Sequence, residues 1–210
     1  MLFELSQYTP AAGLPDKAAL AFSRVRAIIG PHALGVWQPD AGSGIAPYVS
    51  LSAWHDFERR ETVHQALRED REWIDSSASL TSCEHWIVAP SSGAPEQIGP
   101  TRTDEIYEFR IQEVANGSQA AAGQSFWYVI SREIKRTGGR IIGQFDIVLG
   151  PNRPVFVTIL AWSDYTALHS GWQYLDRSSE CAAQRDSEMA ELGRSYFDRP
   201  AQWLMRSMVK

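Results

Sequence analysis

One strand-like stretch occurs twice in this chain, and it constrains the fold more than any other feature. Residues 155–164 read Val-Phe-Val-Thr-Ile-Leu-Ala-Trp-Ser-Asp, and residues 48–56 read Tyr-Val-Ser-Leu-Ser-Ala-Trp-His-Asp. Both runs are rich in β-branched or aromatic residues and end on Ala-Trp-x-Asp, where a helical pattern begins. The two tryptophans, Trp54 and Trp162, are 108 residues apart. A period of this length is too long for a solenoid repeat and predicts a doubled domain.

Two further matches keep the same order along the chain. Gly35 and Gly143 share the 108-residue offset, and Phe-Glu-Leu at residues 3–5 recurs as Tyr-Glu-Phe at residues 107–109. Three matched blocks in one order, with nearly constant spacing, indicate an internal duplication. We therefore expect two similar halves of about a hundred residues each, a common size for a small domain.

The boundary between the halves is predicted from composition. Residues 91–103 are rich in Ser, Gly and Pro and lack apolar periodicity, so we assign domains to residues 1–90 and 104–210. Each half has the pattern β-α-β-β-α-β, the ferredoxin-like arrangement. Such a unit carries helices on one face of its sheet, and the other face needs a cover. The predicted fold is α+β, with two tandem ferredoxin-like units packed sheet to sheet as a pseudo-dimeric α/β barrel around a lumen.

Composition excludes several classes of function. The 210-residue chain has a formal net charge of −5 with mixed signs throughout, which argues against nucleic acid as the main partner. Apolar runs are too short to span a bilayer and the first residues lack a signal-peptide pattern, so we expect a cytoplasmic protein without a membrane partner. Cys83 and Cys181 lack Cys-x-x-Cys spacing and indicate neither a zinc site nor a disulfide framework.

Side-chain alternation along the strands predicts which residues face the lumen. The apolar face of each first strand is expected under the helices, which leaves Glu4, Glu108 and Arg110 facing the opposite sheet. The same logic places aromatic and hydroxyl side chains of the other strands around this space, a mixture that suits a small, largely apolar ligand. The candidate substrate-binding residues are Tyr8, Tyr48, Trp54, Thr158, Trp162 and His85.

The two glutamates and Arg110 are the candidate catalytic residues. A carboxylate in an apolar cavity has its pKa raised, which suits a general acid or base near neutrality. Arg110 has the planar fork that binds a substrate carboxylate or phenolate. The alternative is a purely structural ion pair, in which Glu108 pairs with Arg110 or with a neighbour across the sheet and does no chemistry.

Metal and cofactor signals are weak in this sequence. The five histidines show no i, i+4 pair of the kind that forms a helical metal site, and no phosphate-binding loop or nucleophile elbow is visible. We therefore predict neither a metal site nor a cofactor. One axial histidine is enough to hold haem, so a haem-dependent enzyme stays open as an alternative.

Several short motifs resemble the NIPSNAP family. They are Leu-Phe-Glu-Leu at residues 2–5, Ser-Ala-Trp-His-Asp at 52–56 and Glu-Asp-Arg-Glu-Trp at 69–73. In the second half, Ile-Tyr-Glu-Phe-Arg at 106–110 is close to the family's Tyr-Glu-Leu-Arg, whereas Ser6 in the first half stands where the family has Arg. The resemblance implies the dimeric α/β barrel superfamily, which includes cofactor-independent monooxygenases, isomerases, polyketide cyclases and haem-dependent dehydratases and peroxidases.

We expect a cofactor-independent enzyme that acts on a small hydrophobic or aromatic metabolite in the barrel lumen by cyclisation, isomerisation, elimination or oxygenation. Glu108 or Glu4 would move the proton, Arg110 would stabilise developing negative charge, and Trp54 and Trp162 would line the substrate. One alternative is a non-catalytic binding or scaffolding protein of the NIPSNAP type, and a second is a haem-dependent dehydratase- or peroxidase-like barrel. A homodimer is left open.

Overall fold

The computed structural model describes residues 1–40, 46–91, 102–115, 117–150, 155–192 and 201–208. The elements of the first half are β1 Leu2–Pro10, α1 Pro15–Ile29, β2 Ala33–Pro39, β3 Tyr48–Trp54, α2 Phe57–Glu69, α3 Arg71–Ser77 and β4 Leu80–Pro90. Those of the second half are β5 Ile106–Glu113, α4 Gln119–Ser125, a π-helical segment Phe126–Ile130, α5 Ser131–Arg136, β6 Arg140–Leu149, β7 Val155–Trp162, α6 Tyr165–Arg177, α7 Ser179–Leu192 and β8 Ala201–Ser207. Most of the predicted linker, 91–103, lies outside the described residues, so the domain division stays a prediction.

The eight strands form one closed barrel in the order β1-β3-β2-β8-β5-β7-β6-β4. Within each half the order is the ferredoxin-like one, β4-β1-β3-β2 and β8-β5-β7-β6. The halves meet at two hydrogen-bonded seams, with Trp37 opposite Ser207 between β2 and β8, and Val88 opposite Ile147 between β4 and β6. The predicted α+β fold class is therefore confirmed, and its two sheets are also joined edge to edge.

Aspartates set the helix boundaries in both halves. Asp56 accepts a hydrogen bond from Arg59 N at the start of α2, and Asp164 caps α6 in the same way. Asp70 ends α2 and caps α3, and its carboxylate also binds Arg24 of α1. Asp70 therefore divides the helical region between Phe57 and Ser77 into two helices.

The helices of the second half also fall into several segments. The helix that begins at Gln119 widens to a π-helical segment at Phe126–Ile130 before α5. A break at Ser178 separates α6 from α7. In the described part of the chain, no helix is long and apolar enough to cross a membrane.

Apolar side chains from both halves fill the barrel interior, which contradicts the predicted lumen. The Trp37 ring of β2 lies 4.9 Å from the Phe109 ring of β5, centroid to centroid. An eight-stranded barrel is just wide enough for its own side chains to fill it. The buried members of this interior cluster are Leu5, Trp37, Val49, Leu51, Trp86, Val88, Tyr107, Phe109, Ile142, Phe145, Val157, Ile159, Ala161 and Met205.

The predicted orientation of the strands is therefore inverted. The apolar face of β1 and β5 points into the barrel, and the polar face points outward against the helices. Tyr8, Tyr48 and Trp54 pack with α1 and α2, while Trp162 packs with the helices of the second half. We call the space between each half's sheet and its helices the helix–sheet layer. All nine candidate site residues lie in these two layers: Glu4, Tyr8, Tyr48, Trp54, His85, Glu108, Arg110, Thr158 and Trp162.

Candidate active site

A buried carboxylate lies at the corresponding position of the first strand in each half. Glu4 on β1 is 1% exposed and Glu108 on β5 is 0% exposed. In both halves the tryptophan that ends the third strand donates its indole N–H to this carboxylate. The distance is 2.9 Å from Trp54 Nε1 to Glu4 Oε2, and 3.0 Å from Trp162 Nε1 to Glu108 Oε2. Each layer thus contains a buried glutamate that accepts a hydrogen bond from an indole N–H.

The Glu4 centre consists of Glu4, Trp54, Arg60, His64 and His85. Arg60 of α2 donates from Nε to Glu4 Oε1 over 3.0 Å, and His64 Nε2 lies 3.0 Å from Oε2. His85 of β4 brings Nδ1 to within 3.4 Å of Oε1. The two imidazole rings meet edge to face, with centroids 4.8 Å apart. One carboxylate therefore gathers a guanidinium, an indole and two imidazoles from three different elements.

Glu4 is held in its ionised form. Burial by itself would raise the pKa of Glu4, but the hydrogen-bonding contacts with His64, His85 and Arg60 outweigh it and keep that pKa well below its usual range. The carboxylate is therefore a permanent negative charge near neutral pH, suited to orienting imidazoles and not to exchanging protons.

His85 connects the Glu4 centre to the surface. Its Nδ1 also lies 2.8 Å from Ser6 Oγ, and its Nε2 lies 3.3 Å from Cys83 Sγ. Tyr8 packs edge-on against the same ring, with centroids 5.9 Å apart. The His85 side chain is 24% exposed, whereas that of Glu4 is 1% exposed. The buried carboxylate is thus one imidazole away from solvent.

The Glu108 centre consists of Glu108, Arg110, Trp162, Trp172 and Gln202. Trp172 of α6 donates from Nε1 to Glu108 Oε2 over 2.8 Å, and Gln202 of β8 donates from Nε2 to Oε1 over 2.8 Å. Arg110 Nη1 donates to Oε1 over 3.2 Å, and its guanidinium carbon lies 4.0 Å from the Trp172 ring centroid. This stacking is a cation–π contact. The carboxylate here is surrounded mainly by indole rings.

The pKa of Glu108 shifts in the opposite direction to that of Glu4. Burial raises the pKa of Glu108, and the charge of Arg110 together with the hydrogen bonds from Trp172, Trp162 and Arg110 offsets this only in part. Burial also lowers the pKa of Arg110. Glu108 therefore exchanges a proton closer to neutrality than an ordinary glutamate, as a general acid or base must.

Two unsatisfied polar residues extend from the Glu108 centre across the sheet. Thr158 on β7 pairs with Arg110 on one side and with Gln144 of β6 on the other. Thr158 is 0% exposed and Gln144 is 1% exposed. In the part of the chain that the structure describes, Thr158 Oγ1, Gln144 Oε1 and Gln144 Nε2 have no hydrogen-bond partner. Each such buried group costs about 1–3 kcal/mol when it stays unpaired, so a buried water or a bound ligand would stabilise this row.

The structure divides the predicted site residues between the two layers. Tyr48 stands somewhat apart from the centres, because it stacks on Phe22 at 4.9 Å and its hydroxyl donates to Pro15 O over 3.4 Å. The predicted residues around the two centres are Glu4, Tyr8, Trp54 and His85 in the first half, and Glu108, Arg110, Thr158 and Trp162 in the second.

Four residues around the two glutamates were not predicted from the sequence: Arg60, His64, Trp172 and Gln202. A signal for two of them was present. His64 and Trp172 each follow the tryptophan at the end of the third strand by ten residues, so the 108-residue offset relates them.

Three donor groups of the Glu4 centre could hold a metal ion. One ligand atom from each of Glu4, His64 and His85 lies within 4.8 Å of the others. The sequence gives no sign of this trio, because its members come from β1, α2 and β4. Haem iron usually takes one axial imidazole, and both imidazoles of the Glu4 centre already contact Glu4.

No protein-family model and no curated protein matches the sequence. Among solved structures, an anthrone oxidase-like protein superposes over 99% of this chain and 91% of its own, with a TM-score of 0.65 and 12% identity. A candidate monooxygenase from Lactobacillus acidophilus covers 98% and 93%, with a TM-score of 0.57 and 10% identity. A chlorite dismutase variant from Candidatus Nitrospira defluvii covers 99% and 91%, with a TM-score of 0.58 and 10% identity. At these identities the likeness establishes the fold alone: the chain has the fold of the dimeric α/β barrel proteins.

Proposed function

We propose that this protein is a small-molecule enzyme whose reaction centre is Glu108, in the helix–sheet layer of the second half. The substrate is a hydrophobic or aromatic metabolite that carries oxygen substituents, and the chemistry is acid–base catalysis without a cofactor. The observation that carries the proposal is the row formed by Arg110, Thr158 and Gln144 beside a buried glutamate. Affiliation with the NIPSNAP family, the tandem duplication and the domain division belong to the same proposal.

The acid–base role falls to Glu108 and not to Glu4. Burial in an environment rich in indole raises the pKa of Glu108, whereas Arg60 and two imidazoles keep Glu4 ionised. A general base works best when its pKa approaches the working pH. Arg110 lies within hydrogen-bond distance of Glu108 and can stabilise the oxyanion that forms when the substrate loses a proton.

The groups around Glu108 suggest what the substrate looks like. Trp162 and Trp172 offer aromatic surfaces that favour a flat apolar ring system. Thr158 and Gln144 supply an unused hydroxyl and an unused amide, which would pair with carbonyl or hydroxyl oxygens on that ring system. A planar phenol, quinone or anthrone satisfies both requirements.

Oxygenation is the reaction we favour among cyclisation, isomerisation, elimination and oxygenation, because structural neighbours are described as an anthrone oxidase-like protein and a candidate monooxygenase. With anthrone as substrate, Glu108 removes a proton from the methylene carbon and Arg110 stabilises the resulting oxyanion. This electron-rich anion reacts with O2 at the same carbon. Loss of the second C–H proton and cleavage of the O–O bond then give anthraquinone and one water.

A non-catalytic binding protein is the second candidate, and the filled barrel interior favours it. In that case the Glu108–Arg110 pair orients a ligand or simply satisfies itself. Turnover separates the two candidates, since a binding protein would retain an aromatic ligand without converting it.

Oxygen consumption in the presence of anthrone tests the proposal, with the spontaneous rate subtracted. Glu108→Gln keeps the shape of the side chain but cannot take up the proton, so we expect at least a 100-fold loss of the catalysed rate, the effect of removing a general base. Glu58→Gln, an exposed change on α2, is the matched control and should leave the rate unchanged. A folded Glu108→Gln variant with the wild-type rate would remove Glu108 from the mechanism.

A further inference from the structure

The first half carries a set of groups that the acid–base proposal does not use. Glu4, His64 and His85 converge in the helix–sheet layer of the first half, whereas Glu108 lies in that of the second half. We propose that these three residues bind one divalent transition-metal ion, such as Zn²⁺. The inference is independent of the proposed function, because the two centres share no residue.

The donor set is of the right chemical type. Two imidazoles and one carboxylate suit zinc and other first-row transition metals, and three protein ligands leave a coordination position open for water or substrate. Glu4 is 1% exposed and His64 is 8% exposed, so the ligands are already withdrawn from bulk water. The structure thus brings together three donor groups that could hold one metal ion.

The distances are close to those that a metal requires. Donor atoms around a tetrahedral zinc ion lie roughly 3.3 Å apart, given metal–ligand distances of about 2.0–2.1 Å. His64 Nε2 lies 3.0 Å from Glu4 Oε2, whereas the 3.4 Å contact of His85 Nδ1 is with the other carboxylate oxygen, Oε1. All three donors are within 4.8 Å of one another, so small side-chain rotations close the remaining gap.

Groups behind the three ligands hold them in place. Arg60 donates from Nε to Glu4 Oε1 over 3.0 Å, and Trp54 donates to Oε2 over 2.9 Å. Cys83 Sγ lies 3.3 Å from His85 Nε2, the ring nitrogen that points away from Glu4. Such outer partners orient metal-binding carboxylates and imidazoles.

Arg60 is the main electrostatic obstacle, because its positive charge lies beside the proposed ion. It binds Oε1 of Glu4, which leaves a lone pair of Oε2, on the side of His64, for the metal. The contact between His64 and Oε2 needs a proton when no metal is bound, and the metal would take the place of that proton. Arg60 would keep Oε1, and the metal would share Oε2 with the indole N–H of Trp54.

The Glu108 centre is an internal reference for this inference. It keeps the glutamate and the indole, but Trp172 occupies the position that corresponds to His64. Gln202 occupies the position that corresponds to His85: Gln202 pairs with Arg110 across the strands, as His85 pairs with Ser6. Neither replacement supplies an imidazole. Metal-binding chemistry is therefore confined to one of two otherwise corresponding positions.

Metal binding to the full chain tests the proposal directly. Protein freed of metal with a chelator is titrated with Zn²⁺ and with Co²⁺, and bound metal is counted by elemental mass spectrometry. We expect one ion per chain, visible absorption bands from Co²⁺ and a higher melting temperature with Zn²⁺, since a ligand that binds the folded state stabilises it. Absence of stoichiometric binding at micromolar metal would overturn the proposal.

His64→Trp and His85→Gln each introduce the residue of the second half and remove one ligand. We expect either change to weaken binding by more than about 100-fold, because losing an outer partner alone costs 10- to 100-fold. His169→Gln, at an exposed histidine, and Glu108→Gln are the controls and should bind as the wild type does. Wild-type affinity in both folded ligand variants would also overturn the proposal.

X-ray absorption of the zinc-loaded wild type does not depend on how the variants fold. Two imidazoles and a carboxylate in the first coordination sphere would support the site. A sphere without imidazole would place the ion elsewhere and defeat the inference.

Discussion

The two helix–sheet layers begin from the same pair, a glutamate on the first strand and a tryptophan at the end of the third, and then diverge. Around Glu4 the chain places a guanidinium and two imidazoles, which hold the carboxylate in its ionised form. Around Glu108 it places two indoles, an amide and one guanidinium, and burial raises the pKa of Glu108. Equivalent carboxylates with pKa values pushed apart are a recognised sign of distinct chemical roles. The comparison teaches that neighbours, and not residue type or position, decide what each glutamate can do.

Removing the arginine from each centre tests this difference most severely. Arg60 and Arg110 are similarly buried, with side chains 18% and 16% exposed. Arg60→Gln leaves an ionised, buried Glu4 without its cation and should reduce the free energy of unfolding by about 3–5 kcal/mol. Arg110→Gln should cost less, about 1–3 kcal/mol, because Glu108 can take up a proton and lose its charge. Urea unfolding at pH 7 measures both.

Equal losses from the two arginine variants would contradict the comparison. They would mean that the two carboxylates depend on their cations to the same extent, and that the raised pKa of Glu108 does not reduce its dependence on Arg110. Lysine at either position is a useful control, because it restores the charge without the planar fork.

The fold was predictable from sequence because the signal came from pattern and spacing. Trp54 and Trp162, each followed two residues later by a helix-capping aspartate, mark the same strand–helix junction in both halves. A β-α-β-β-α-β half leaves one sheet face bare, and burying that face requires a second copy. None of this depends on how individual side chains pack.

The direction of the strands was not predictable in the same way. Every residue of β7 is buried, so polarity alternates too weakly to show which face meets the helices. We assumed that polar groups surround a lumen, whereas Tyr107 and Phe109 fill the barrel and Glu108 turns toward α6. Two buried faces make the rule of alternation ambiguous.

The partners of the glutamates were hidden for a different reason. Arg60, His64 and Trp172 sit on helices, where their direction depends on how each helix lies across the sheet. Gln202 comes from the last strand, far from Glu108 in sequence. Contacts of this kind are fixed by tertiary packing, and strand periodicity carries no information about them.

Stability as a function of pH sharpens the comparison further. The pKa of Glu4 is below its ordinary value of 4.5, so its contribution is complete above pH 4.5 and is lost as the pH falls. The pKa of Glu108 is above 4.5, so its contribution is complete below pH 4.5 and is lost as the pH rises through the folded value. We expect the wild type to lose stability relative to Glu4→Gln on acidification. Relative to Glu108→Gln it should lose stability on raising the pH from 4.5 to 7.

The two stability differences should therefore change with pH in opposite directions. Thermal and urea unfolding at a series of pH values from 3.5 to 8 provide the data. If the difference in unfolding free energy between wild type and variant changed with pH in the same direction for Glu4→Gln and Glu108→Gln, the two carboxylates would be electrostatically equivalent.

The smallest effect concerns two hydroxyls that correspond across the halves. Ser50 and Thr158 are 108 residues apart on the third strands, and both are at most 1% exposed. Burial raises the pKa of Tyr8 and the neighbouring Ser50 hydroxyl offsets part of that rise, whereas Thr158 has no hydrogen-bond partner in the described part of the chain. Ser50→Ala should therefore destabilise the protein by about 1 kcal/mol, and Thr158→Val should stabilise it by about the same amount because it removes a buried unsatisfied hydroxyl.

Anthrone binding, measured by the quenching of tryptophan fluorescence, gives a second test of Thr158. If Thr158→Val weakens this binding, the unpaired hydroxyl contacts the ligand. A destabilised Thr158→Val variant with unchanged anthrone binding would instead mean that Thr158 has a structural partner, and the row beside Glu108 would no longer point to a substrate.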